Sequence, residues 1–170
     1  MNSKQCFPPV VNENTTLLIL GSLPGDRSLA QGEYYANKQN SFWYLISQLL
    51  RTDLVHLNYD DRLATLLHKG VGLWDVVADA IRDGSLDSRI KQHRSNDLLG
   101  LIATLPKLKV VAFNGKTAAR LGQKQLAFAP EAMRTIELPS SSPAYTLAVH
   151  KKVDRWQELQ PFLSTEITVE

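Results

Sequence analysis

Tyr34 and Tyr35 stand just before three side-chain amides, Asn37, Gln39 and Asn40, in one polar stretch that ends at Ser41-Phe42-Trp43. An aromatic face offers stacking, and a carboxamide both donates and accepts hydrogen bonds. Together they are the groups that holding an extruded nucleobase requires. Phe42 and Trp43 keep helical spacing with Leu45, Ile46, Leu49 and Leu50 and read as core. Tyr34 and Tyr35, in a polar loop, do not. Asn40 has a second reading, as N-cap of that helix, a place for which Ser41 is the other candidate.

Ser140, Ser141 and Ser142 put three hydroxyls before Pro143, which suits the first residue of a helix. A helix N-terminus offers free N–H groups and partial positive charge, so this stretch suits a phosphodiester backbone, or serves only as an elaborate cap. Asp75 follows Trp74 at the end of an apolar run and either reads a base edge or caps a turn. Gly84-Ser85-Leu86-Asp87-Ser88 reads as a turn and a helix start. Phe113-Asn114-Gly115-Lys116-Thr117 imitates a phosphate-binding loop. That loop needs a glycine five positions before Gly115, where Val110 stands, so the better reading is a tight turn allowing close helix–strand packing.

The elements that must position these groups alternate. Thr16–Leu20 is a continuous apolar run, the mark of a buried parallel strand, stopped by Gly21-Ser22-Leu23-Pro24-Gly25. A polar loop to Asn40, a helix over 41–50, a helix from Asp60 to Gly70 and a strand over 71–77 follow. Ser95 is placed as cap of a helix through Leu105. A strand over 108–113, a short helix over 115–121 closed by Gly122, a strand over 134–138 and a last helix from Ser142 to about Pro161 complete the pattern. Residues 1–14 read as a loose lead-in to one domain spanning 1–170. Alternation of this kind means an α/β domain with a parallel sheet covered on both faces. Ligands of such sheets gather at the carboxyl ends of the strands, where the loops after Leu20, Trp74 and Leu138 lie.

Composition narrows the classes. At 44% hydrophobic and 21% charged, the 170 residues are ordinary for a folded domain. A net charge of +2 and a pI of about 8.7 permit a polyanionic partner without demanding one. The single cysteine, Cys6, excludes an internal disulfide, and four scattered histidines give no metal-ligand spacing. No basic-then-apolar leader and no run of membrane-spanning length is present, so a cytoplasmic protein without membrane contact is expected.

Taken in order, Gly21–Gly25, Ser28-Leu29, Tyr34–Asn37 through Asn40–Trp43, Gly70–Val77, Gly84–Asp87, Phe113–Gly115 and Leu138–Ala144 resemble the uracil-DNA glycosylase superfamily, and within it the hypoxanthine (deoxyinosine) branch. The resemblance spans roughly residues 16–160. It implies a four-stranded parallel sheet between helices, with damaged DNA across the strand ends and a flipped, deaminated base as substrate. It also implies a monofunctional, monomeric N-glycosyl hydrolase without metal or cofactor.

Mismatch-specific relatives carry Asn third in the first motif, where this chain has Leu23; uracil-specific relatives often open the last motif with His, where Leu138 stands. Both departures point away from the usual uracil chemistry. The hypoxanthine branch moves catalysis to an amide that maps to Asn40. Tyr35 falls where relatives stack an aromatic on the base, and Asp75 where uracil enzymes hold the base edge with Asn. Backbone N–H groups near Ser22 and Leu23 join Asp75 in reading that edge, while Ser140, Ser141 and Ser142 grip phosphates. Iron–sulfur branches are excluded by the lone cysteine. Uracil or xanthine remain alternative substrates, and a catalytically inactive DNA-binding module is the alternative of another class.

Overall fold

A computed structural model describes residues 3–82, 84–86, 90–129 and 131–164. Four strands, β2 (Leu17–Gly21), β3 (Val71–Asp75), β6 (Val110–Asn114) and β7 (Thr135–Leu138), form a parallel sheet in the order β3-β2-β6-β7. β2 is apolar almost throughout because helices cover both faces of the sheet. Leu17 and Ile19 point to one core, with Val71, Leu73, Val110 and Ala112. Leu18 and Leu20 point to the other, with Val111 and Phe113. Successive side chains of a strand face opposite ways, so a strand buried on both sides shows no polar alternation.

The first core is closed by α2 (Phe42–Leu50), α6 (Val149–Trp156) and the 3-10 turn Gln157–Phe162. The second is closed by α4 (Leu98–Ala103) and α5 (Lys116–Leu126). α3 (Tyr59–His68) packs on β3 and is capped by Asn58, whose side chain accepts the Asp61 N–H. The α/β architecture with a four-stranded parallel sheet is the one expected.

Several local expectations are corrected. The lead-in is tied down: β1 (Ser3–Gln5) pairs antiparallel with β4 (Val77–Ile81), and Val10 bridges Leu73. β4 pairs in turn with β5 (Lys91–Ser95), giving a second, antiparallel sheet in the order β1-β4-β5. Ser95 thus ends a strand, and Asp97 caps α4 by accepting the Gly100 N–H. A short helix, α1 (Asp26–Gln31), occupies part of the polar loop.

α5 runs through Gly122 rather than stopping there. A Cβ on Gly122 would lie 2.3 Å from Phe113 Cε1, so this glycine serves packing against β6. The last helix starts at Val149, not Ser142, leaving Pro139–Ala148 as an irregular loop. Asp87 and Ser88 of the 84–88 stretch lie outside the described residues.

Candidate active site

The carboxyl ends of the four parallel strands open into a cleft of about 580 Å³. Ser22, Leu23, Tyr35, Asn40, Asp75, Ser140, Ser141 and Ser142 all line it, as does Asn37, whereas Gln39 does not.

β2 supplies the floor. The carbonyls of Gly21 and Ser22 accept the N–H groups of Val76 and Val77 at 2.8 and 3.0 Å. In a trans peptide the N–H points opposite to the C=O. Those bonds therefore turn the Ser22 and Leu23 N–H groups away from the β3–β4 junction, and among the described residues they take no partner. The Leu23 side chain is buried in the second core, so its backbone is what it presents to the cleft.

At Gly21 the chain must be bare. A Cβ there would lie 2.7 Å from Asp75 Oδ1 and 3.0 Å from the Tyr35 hydroxyl. The missing side chain thus lets a carboxylate and a phenol converge over the end of β2. Asp75, register partner of Gly21, is 3% exposed. Its charge reaches Tyr34, whose hydroxyl is pushed far above the ordinary tyrosine range, first by burial and then by Asp75. Tyr34 donates to the Pro8 carbonyl and belongs to the core, a placement its polar surroundings in the chain did not announce.

Tyr35 has φ of +54°, uncommon for a residue with a Cβ. Its ring lies on Phe42 at 3.8 Å between centroids and 17° between planes. Phe42 meets Trp156 edge-on at 5.9 Å, and Trp156 Nε1 donates to the Pro139 carbonyl. One face of Tyr35 is thus backed by a chain of rings leading to the serine loop.

Ser41, the other candidate, is the N-cap of α2, and Asn40 stands one residue before it. Asn40 Oδ1 accepts the Phe42 N–H at 3.0 Å, which fixes the orientation of the carboxamide. Nδ2 is left as the group with donors to offer the cleft. The next residue ties this stretch to the serine loop, since Ser41 N–H and Oγ both donate to the Ser141 carbonyl, at 3.0 and 3.1 Å.

The serine loop departs from the expected helix N-terminus. Ser141 is 1% exposed: its N–H donates to Asn114 Oδ1, and Asn114 Nδ2 donates to Ser141 Oγ, both at 2.9 Å. Ser140 and Ser142 Oγ accept the N–H groups of Ser142 and Ala144, which leaves their hydroxyl protons to donate. Lys152 is 3% exposed; its Nζ donates to the Ser142 carbonyl at 3.1 Å and lies 5.4 Å from the Tyr145 ring centre. Burial holds its ammonium below the usual lysine value.

Asn114, which carried no assigned role in the sequence, is the hub here. Its Nδ2 also donates to the Tyr35 hydroxyl at 3.2 Å. A polar residue ending an apolar strand was the available signal. Gly115 follows with φ of +100°, and a Cβ there would lie 3.1 Å from Ser140 Cβ, so it admits the serine loop rather than easing helix–strand packing. Lys116 and Arg27, both exposed, add positive charge to the rim.

A parallel four-stranded sheet whose strand ends open into one cleft defines a class, and comparison with known proteins agrees with it. Residues 8–163 match the pattern of the Uracil DNA glycosylase superfamily, and the chain belongs to that family. It is similar to the hypoxanthine DNA glycosylase of Methanosarcina acetivorans, 39% identical over 154 residues, covering 91% of this chain and 96% of that one. The hypoxanthine DNA glycosylase of Methanosarcina barkeri is likewise 39% identical, over 155 residues and the same shares. A solution NMR structure from Methanosarcina acetivorans, which bears the name of a uracil DNA glycosylase, superposes with a TM-score of 0.83 at 37% identity. That match covers 94% of this chain and 97% of the other.

Proposed function

We propose that the chain is a monofunctional DNA glycosylase that hydrolyses the bond between hypoxanthine and its deoxyribose, in repair of deaminated adenine. The observation that carries this reading is the convergence of Tyr35, Asn40, Asp75 and the Ser22–Leu23 amides on one cleft, in a chain 39% identical to two hypoxanthine DNA glycosylases.

The chemistry of the base supports it. Hypoxanthine presents a ring N–H beside a carbonyl oxygen; adenine presents a ring acceptor beside an amino donor. A carboxylate accepts from the ring N–H, and backbone N–H groups donate to the carbonyl. Asp75 with the Ser22 and Leu23 amides therefore fits hypoxanthine and opposes adenine. Guanine shares this edge and is set apart by its 2-amino group. Tyr35, backed by Phe42, stacks on the extruded base, while Ser140 and Ser142 hold the flanking phosphates. Extrusion costs a few kcal/mol, less at a mispaired base.

Cleavage then breaks the C1′–N9 bond, with its electron pair leaving on the purine. Water oxygen bonds to C1′, and the proton it loses ends on the base. Asn40 Nδ2 donates to the developing negative charge on the leaving purine or to the attacking water. An amide is too weak a base to deprotonate that water, so the rate comes from positioning and stabilisation of the leaving group. No lysine serves as nucleophile, and no metal or cofactor takes part.

Every group named comes from one chain, so a monomer suffices. Among the described residues no helix is long and apolar enough to cross a membrane. A reducing cytoplasmic compartment accords with the free thiol of Cys6.

The test is an oligonucleotide panel carrying inosine, uracil or xanthine at one position, followed under single-turnover conditions. Inosine should be the fastest substrate. A faster uracil or xanthine reaction would move the assignment within the superfamily. Binding without turnover on any of them would make the chain an inactive module.

A further inference from the structure

Arg82 is 3% exposed and follows β4 directly. Its guanidinium donates to three backbone carbonyls: Leu23 O at 3.4 Å, Pro24 O, and Gly84 O at 2.8 Å. With the bonds from Val76 and Val77, four consecutive carbonyls of the first-strand loop, Gly21 to Pro24, are all taken by donors from residues 76–82.

This fixes the loop's donors as well. Holding Pro24 O on Arg82 turns the Gly25 N–H the opposite way, as the bonds to Gly21 and Ser22 do for the Ser22 and Leu23 N–H groups. Leu23 and Pro24 lie beyond the end of β2, and Pro24 has no N–H, so Arg82 supplies there what the ladder no longer can. A planar fork with several fixed donors suits parallel carbonyls better than an ammonium does.

The small antiparallel sheet backs this contact. Ser3 pairs with Ile81, the residue before Arg82, and the Cys6 N–H donates to the Ala78 carbonyl. Lys4 Nζ bonds Gly84 O at 3.1 Å and pairs with Asp26 at the start of α1.

The geometry points to Arg82 as a positioning residue for base recognition: it holds Leu23 and Pro24 so that the Gly25 amide is set before the base arrives, extending the row of Ser22 and Leu23 amides that Val76 and Val77 set, and the β1-β4-β5 sheet is the scaffold that presents it. The inference rests on the reading of this loop as the base-reading element.

The experiment compares wild type with Arg82→Met and Arg82→Lys, the second keeping the charge in case the first fails to fold. On inosine DNA, both should lower the single-turnover rate at saturating enzyme by about tenfold or more, Lys less than Met, with affinity for undamaged duplex unchanged within about twofold. In 1H–15N spectra of Arg82→Lys, the Gly25 amide should shift most, those of Ser22 and Leu23 less, while Asn114 and Ser141 stay in place. A purely structural residue would lower melting temperature with rate and amide positions intact, and that result overturns the proposal. So does a parallel loss of rate and duplex affinity, which would make Arg82 a DNA contact. If wild type is inactive on inosine, the substrate reading has failed instead, and the amide shifts still decide the role of Arg82.

Discussion

Asn114 and Ser141 hold each other across the ends of β6 and the serine loop, each donating one hydrogen bond to the other at 2.9 Å. Asn114 has a further donor bond, to the Tyr35 hydroxyl. One carboxamide thus sets the serine loop and Tyr35 relative to each other. Asn114→Ala should lower single-turnover excision by roughly ten- to a hundredfold, at a stability cost of about 1–3 kcal/mol for partners left unsatisfied. Ser141→Ala should cost less, because Asn114 keeps Tyr35 and the Ser141 N–H. Equal effects of the two, or stability loss with full activity, would contradict this role for Asn114.

The donor of Asn40 can be separated from its bond to the Phe42 N–H. Asn40→Asp keeps an oxygen for the Phe42 N–H and removes the donor. Asn40→Ala removes both. Each should lower single-turnover excision by roughly tenfold to a thousandfold. Only Ala should also lose about 1 kcal/mol of stability. An aspartate variant with full rate, or an alanine variant whose whole defect is thermal, would leave Asn40 only its bond to the Phe42 N–H.

The salt dependence of DNA binding should distinguish an exposed rim lysine from a buried one. Lys116 is exposed at the cleft rim, whereas Lys152 is buried against the Ser142 carbonyl. Lys116→Ala should flatten the slope of log K against log salt by about one unit. Lys152→Met should leave the slope in place and lower the melting temperature. Ser140→Ala and Ser142→Ala should weaken binding to every sequence alike with the slope and base preference unchanged. A serine change that alters base preference would break the division between a phosphate-holding loop and a base-reading stretch.

The parallel sheet and the cleft were legible because their signals are local. Leu17–Leu20 and Val110–Phe113 are apolar runs cut by glycine or a polar residue, and strand-end loops collect ligands whatever the rest of the chain does. The second sheet was not legible. Lys91–Ser95 is polar, and its partners are Val77–Ile81 just behind a core strand and Ser3–Gln5 at the other end of the sequence. Gly122 and Ser142-Pro143 misled for one reason: both are ordinary stop or start signals, here used for contact with Phe113 and for a turn. Asn114 and Arg82 escaped because their work depends on partners 27 to 79 positions away.

Product identification tests the central claim most directly. An inosine-containing duplex is incubated with excess protein in EDTA, and the free base and the strand are identified by mass. Hydrolysis in this cleft predicts one hypoxanthine released per strand and an intact strand bearing an abasic site, with nothing trapped by borohydride. Hypoxanthine retained in the strand, loss of the reaction on chelation, or a nicked or borohydride-trapped product would contradict it.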